Sequence, residues 1–264
     1  MFGVSETPYD LRFHFLGIPV RVHPIFWLVM AMLGWQRNNL PAVLVWVGCV
    51  FVSILIHEFG HASVARAFGC SPWILLWGGG GLCYSQADRQ TPAQRLAVVV
   101  SGPGAGFVLC GLVLLLASVL FGVTPREHLS VIQDVTGFEG DPWDYDSAQV
   151  KLRTGMNFFI FRNLVWINLM WGLVNLLPVW PLDGGRVSEI VLSHFNPRDG
   201  ARWGHTISLI VAGVLAVLAF SYKEHDLFLT IFFACFAFMN FQILQAMYQA
   251  HRLGISSDED WWGR

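Results

Sequence analysis

Long apolar runs alternate with short polar breaks along the chain, and most approach the roughly 20 residues that a membrane-crossing helix needs. Six spans are expected, at about residues 23–35, 40–68, 92–121, 156–179, 205–220 and 227–248, the first of them short. The second has Pro41 in its first turn, where the missing N–H costs nothing. It ends in Ala62-Ser63-Val64-Ala65-Arg66-Ala67, small residues that admit a neighbouring helix. The third carries Ser101-Gly102-Pro103-Gly104-Ala105-Gly106, which reads as a packing seam with a kink.

Three stretches break this pattern. Trp73-Ile74-Leu75-Leu76-Trp77, four glycines and Leu82-Cys83-Tyr84 are too short and too glycine-rich for a span. A re-entrant or membrane-edge β-hairpin is expected there, because non-helical backbone at membrane depth must line a cavity or be buried in protein. A flexible glycine linker is the rival, but it has no need of two tryptophans. Phe13 to Arg21 alternates loosely and reads as a short interfacial strand. Residues 122–155 form an acidic insertion with room for one short helix, and residues 187–204 read as a polar segment. The expected fold class is an all-α polytopic membrane protein of about six transmembrane helices, with the hairpin after the second. It divides into a leader (1–22), a membrane core (23–186), two further transmembrane helices (187–248) and a tail (249–264).

Composition agrees. Of 264 residues, 55% are apolar and 13% charged, about half the charged share of soluble domains, and mean hydropathy is +0.53. A net charge of -2 leaves no nucleic-acid footprint. The five cysteines include no C-x-x-C pair and read as small buried thiols. Glu6, Asp10, Arg12, His14 and Arg21 interrupt the start of the chain, so no signal peptide is expected. With six spans both termini share a side. That side holds Arg12, Arg21, Arg66, Arg89, Arg95, Arg186, Arg198, Arg202, Arg252 and Arg264; the other holds Arg37, Arg126, Lys151, Arg153 and Lys223. The positive-inside rule then puts both termini in the cytoplasm, and the expected location is a bacterial or archaeal plasma membrane.

One motif lies inside the second span: His57-Glu58-Phe59-Gly60-His61. On a helix the two imidazoles share a face and can hold one zinc ion, with Glu58 beside it to take a proton from water. Ionisable groups are costly in hydrocarbon, which argues against chance. A catalytic zinc needs a third ligand. Asp183 follows the inner end of the fourth span, among Pro178, Pro181, Gly184 and Gly185, where a helix would unwind. It falls in the same half of the bilayer as His57 and can complete a His-His-Asp site. Its second reading is a helix cap or turn residue. Asn175 reads equally as a helix–helix hydrogen-bond donor, and Glu189, His194 and His205 as interfacial polar residues.

His57-Glu58-Phe59-Gly60-His61 together with Asn175-Leu176-Leu177-Pro178-Val179-Trp180-Pro181-Leu182-Asp183-Gly184-Gly185 resembles the site-2 protease family of intramembrane zinc metalloproteases. The likeness runs from about Val22 to Arg186 and includes the leader Gly17-Ile18-Pro19-Val20-Arg21-Val22-His23-Pro24. It implies one zinc per chain held by His57, His61 and Asp183, with Glu58 as catalytic carboxylate. Asn175 would position substrate or polarise its carbonyl. The implied partners are the lipid bilayer and a membrane protein cut in or near its transmembrane segment. Gly106 stands where many members have Asn, so no role for that Asn is carried over. The insertion is too short for a PDZ domain and the tail for a CBS domain, so gating by such modules is not expected. The substrate must be extended to expose its carbonyls. The hairpin around Gly79 and Gly80 is the candidate to hold it by strand addition. A zinc transporter, a non-catalytic membrane scaffold and a zinc hydrolase of non-peptide substrates are the alternatives; no internal repeat of the kind common in transporters is visible.

Overall fold

The computed structural model describes residues 5–36, 38–85, 90–138, 140–153, 155–221 and 226–252. The expectations for Arg37, Arg89, Lys223 and the tail beyond Arg252 lie outside these residues. The elements in order are β1 (Leu11–Phe15), β2 (Ile18–Val22), α1 (Pro24–Leu33), α2 (Leu40–Ala67), β3 (Trp73–Trp77), β4 (Gly80–Tyr84), α3 (Pro92–Phe121), α4 (Pro125–Thr136), α5 (Pro142–Lys151), α6 (Met156–Asn175), α7 (Asp183–Phe195), α8 (Gly200–Ser221) and α9 (Leu227–Arg252). Five of these helices (α2, α3, α6, α8 and α9) are long and apolar enough to cross a membrane. The chain forms two compact units, one of Phe2–Gln86 and Ser101–Leu173, the other chiefly of Ala87–Val100 and Val174–Arg264.

In the first unit, the expected hairpin is half of a four-stranded sheet, ordered β1-β2-β3-β4. β1 and β2 are antiparallel, as are β3 and β4, while β2 and β3 run parallel with Val20 opposite Ile74 and Val22 opposite Leu76. Parallel neighbours need a long crossover. Here α1 and α2 supply it, so the helix bearing the histidines returns directly into the sheet. Ile18, Val20, Val22, Ile74 and Leu76 point inward against Phe26, Met30, Val50 and Ile54 and form the core. Trp73 stacks on its cross-strand partner Tyr84, with ring centroids 4.3 Å apart.

The first expected span is a ten-residue helix, about 15 Å long, half the usual hydrocarbon thickness. It starts at His23, whose Nδ1 accepts from the Ile25 amide, and stops at Gly34. A Cβ on Gly34 would collide with the Trp46 indole, which donates to the Met30 carbonyl at 3.1 Å. The α1–α2 crossing therefore ends the helix early. The acidic insertion holds two helices, not one. Thr124 and Glu127 form a capping box at α4, Gly137 ends it in the left-handed conformation, and Asp141 caps α5. Val123, Val131, Val135, Ala148 and Leu152 seat this pair on Phe158, Phe161 and Val165 of α6. Burial raises the Glu127 carboxyl pKa. The Lys151 ammonium at 2.8 Å, together with the Ser147 and Thr124 donors, more than offsets this and holds it at about 2. Arg162, a charge within a span, is accounted for by its ion pair with Asp134 of α4 at 3.0 Å.

In the second unit, α6 ends at Asn175 rather than near residue 179, because Pro178 and Pro181 cannot continue it. Residues 187–204 are not a polar break. Half of them belong to α7, an amphipathic helix with Glu189 and His194 among its polar residues, and α8 already starts at Gly200. Gly200 is a close crossing, since a Cβ there would collide with the Leu192–Ser193 backbone.

Candidate metal centre

α2 is set by a good start and an unbroken apolar run. Asn39 Oδ1 accepts from the Ala42 amide at 3.2 Å, and Pro41 occupies the first turn. The helix delivers His57, Glu58 and His61 to positions only 3%, 5% and 6% exposed. The two Nε2 atoms lie 3.2 Å apart, with the rings nearly perpendicular at 80°. Zinc–nitrogen bonds of about 2.0–2.1 Å at a tetrahedral angle give an edge of about 3.3 Å, so this spacing fits two ligands of one ion. A direct ring-to-ring hydrogen bond has the same length.

Glycines clear the space around these side chains. A Cβ on Gly102 would collide with the His61 ring, and one on Gly60 with the Ser101 carbonyl and the Ala105 Cβ. The seam on α3 thus shapes the ligand pocket as well as a helix contact. A Cβ on Gly81 of β4 would collide with the Glu58 carboxyl group, so this strand lies against the expected base. One turn before His57, Ser53 Oγ accepts from Asn168 Nδ2 of α6 at 2.9 Å, and both residues are buried.

Asp183 is the first residue of α7 and is buried at 6% exposure, not held in unwound chain as the prolines and glycines suggest. Gly184 and Gly185 explain the tight entry. A Cβ on the first would collide with the Leu176 and Leu177 carbonyls, and one on the second with the Trp180 backbone. His57, His61 and Asp183 are each buried, and each carries a metal-binding donor, two imidazole nitrogens and a carboxylate oxygen. Two imidazoles and a carboxylate, with a position left open, are a donor set that suits catalytic zinc.

The other expected residues lie as follows. Asn175 is the last residue of α6 and is buried. Gly79 and Gly80 are at the β3–β4 turn, where Gly80 has φ +116° and Gly79 passes under the Trp77 ring. His205, expected at the interface, is buried. Gly81, Gly102 and the Ser53–Asn168 pair were not anticipated. Asn168 alone in an apolar run was the available signal for the last.

The comparisons with known proteins agree on one family. Residues 45–220 match the model of peptidase family M50. A zinc metalloprotease of Methanocaldococcus jannaschii is 28% identical over 77% of this chain and 53% of its own length. The stage IV sporulation protein FB of Bacillus subtilis is 30% identical over 70% of this chain and 52% of its own. The chain thus spans about half the length of these curated relatives. Among solved structures, a site-2 protease of M. jannaschii shares the fold with a TM-score of 0.55 at 24% identity, covering 89% of this chain and 95% of that one.

Proposed function

Because the chain belongs to peptidase family M50, the site-2 protease family its motifs resemble, we propose that this integral membrane protein is a zinc-dependent endopeptidase. Its substrate is a membrane protein, cut in or near a transmembrane segment. The observation that carries this reading is the buried histidine pair at 3.2 Å with Glu58 between them in sequence and β4 against Glu58. The family match favours hydrolysis over a zinc transporter or a scaffold.

His57, His61 and Asp183 would hold the zinc. When bound, it supplies Lewis acidity, drawing the pKa of water towards neutral and polarising a carbonyl. Glu58 accepts the proton of the attacking water at its carboxylate and passes it to the leaving amine. β4 is one of the two edge strands of the sheet, and an edge strand can pair with an unwound substrate by strand addition. Gly81, packed on Glu58, supports this route because a strand added there runs past the base. Gly79 and Gly80 shape the turn that ends the edge, and Asn175 is the candidate donor to the substrate carbonyl. Both termini are assigned to the cytoplasm of a bacterial or archaeal cell on the arginine bias, which requires the α1 region to complete a pass. Cysteine labelling at Ser5 from either side of sealed vesicles tests that assignment.

The decisive experiment is Glu58→Gln. It should keep zinc, lose cleavage and co-purify with uncut membrane-protein substrate. A Glu58→Gln protein that still cuts would remove Glu58 as the base. Asp183→Ala should lose zinc; full zinc retention would remove Asp183 as a ligand.

A further inference from the structure

Asp183 follows a turn interrupted by two prolines. Pro178 and Pro181 have no N–H to give, and Leu182 at the helix N-cap makes no side-chain cap. Within the turn, Val179 donates to Leu177 and Leu182 donates to Val179, at 2.7 and 2.9 Å. The Trp180 peptide groups are instead held from helices far along the chain. Its N–H donates to Ser208 Oγ of α8 at 2.9 Å, and its carbonyl accepts from Asn240 Nδ2 of α9 at 2.8 Å.

These anchors are themselves saturated. Ser208 and Asn240 are both 0% exposed. Ser208 donates back to the Gly204 carbonyl at 2.9 Å. Asn240 gives its second N–H to the Phe236 carbonyl, so its Oδ1 is left to accept, and the His205 Nδ1 at 2.8 Å must carry the proton. The His205 ring also meets the Trp180 indole edge-on, with centroids 5.6 Å apart. Trp180 in turn bears on Asp183 through Gly185, whose Cα admits no side chain against the Trp180 backbone. A displaced Trp180 therefore moves the first turn of α7, and Asp183 opens that turn.

We propose that Asn240, with Ser208 and His205, is a positioning group for the Asp183 ligand. On this view α8 and α9, which follow the family motifs, hold the third metal ligand in place. The inference rests on Asp183 being a zinc ligand. Fully buried polar networks fix one arrangement because any other leaves their members unsatisfied, and loss of an outer partner typically costs 10–100-fold in metal affinity.

The test measures zinc affinity by chelator competition and the visible spectrum of the cobalt-substituted protein, beside thermal unfolding in detergent. Asn240→Leu keeps the size and removes the hydrogen bonds, and should weaken zinc binding at least tenfold and shift the cobalt bands. Ser208→Ala should do the same to a smaller degree and serves if Asn240→Leu does not fold, while Ser208→Thr, which keeps the hydroxyl, should restore affinity. Phe233→Ala, a buried α9 change about two turns before Asn240, should lower the unfolding temperature and leave zinc affinity and spectrum unchanged. If Asn240→Leu or Ser208→Ala destabilises the protein with wild-type affinity and cobalt spectrum, the network is only structural and the proposal fails. If Asp183→Ala itself keeps full affinity, the failure belongs to the ligand assignment instead.

Discussion

The histidine helix and the aspartate turn present their candidate ligands by opposite means. On α2 the helix does the geometry. A four-residue spacing brings the two Nε2 atoms to 3.2 Å, and the apolar run around them keeps the helix intact. Between α6 and α7, prolines interrupt the backbone and glycines permit backbone-to-backbone contact. Side chains 28 and 60 positions later hold the intervening peptide. A helix fixes ligands locally, whereas a turn fixes one only through the rest of its unit. The helix ligands should therefore be lost by crowding and the turn ligand by loosening.

The largest effect separates chemistry from ligation. On the proposed mechanism Glu58→Gln removes a base but no ligand, so cleavage should fall by at least about 10²–10⁴-fold, the usual share of general base catalysis, at unchanged zinc content. If zinc content fell with it, Glu58 would belong to the ligand set, and the helix would supply three donors rather than two.

Next comes crowding on the helix side. Gly102→Val places a branched side chain where the His61 ring lies, and the α3 backbone cannot retreat cheaply from a packed helix. Zinc affinity should drop by more than about tenfold, on the scale of lost outer-shell support, with helix content by circular dichroism unchanged. Normal affinity would mean that the ring has another rotamer able to bind.

Loosening on the turn side gives a subtler outcome. In an ordinary helix Gly→Ala is favourable by about 0.5–1 kcal/mol. Gly185→Ala should instead destabilise, because its methyl collides with the Trp180 backbone. It should also weaken zinc binding, by pushing Asp183 out of place. A stabilised Gly185→Ala protein with wild-type affinity would show that the turn yields freely, and the contrast between the two regions would collapse.

These differences also explain what was legible in advance. That His57 and His61 share one helix face, with Glu58 beside them, could be read directly because helix period is a local property. Asp183 could be read as a residue type in broken chain, but not as the start of α7. Ser188, Glu189 and His194 interrupt the apolar run without interrupting an amphipathic helix. Thr124 and Glu127 carried a capping-box signal for α4 that their acidic surroundings obscured. The pairing of β2 with β3 had no local signal, since Val20 meets Ile74 across two intervening helices. The same holds for Asn240, whose partner Trp180 lies outside its own helix. Non-local contacts escaped the sequence reading, and they are the contacts that hold the turn.

The smallest effect sets the baseline for both regions, at a polar device assigned to neither. Thr124→Ala removes a helix cap and should cost about 1 kcal/mol with zinc affinity unchanged. Its neighbour Glu127 adds a pH signature. The folded carboxyl sits at about 2 against an ordinary value of 4.5, so the folded state favours the ionised form. That stabilisation is complete above about 4.5 and fades as pH falls towards about 2, where both states are protonated. Wild type should therefore unfold at a higher temperature than Glu127→Gln at pH 7, and the gap should narrow steadily below pH 4.5. A gap that stayed constant with pH would show that Glu127 acts through shape alone, and that its ion pair with Lys151 contributes nothing.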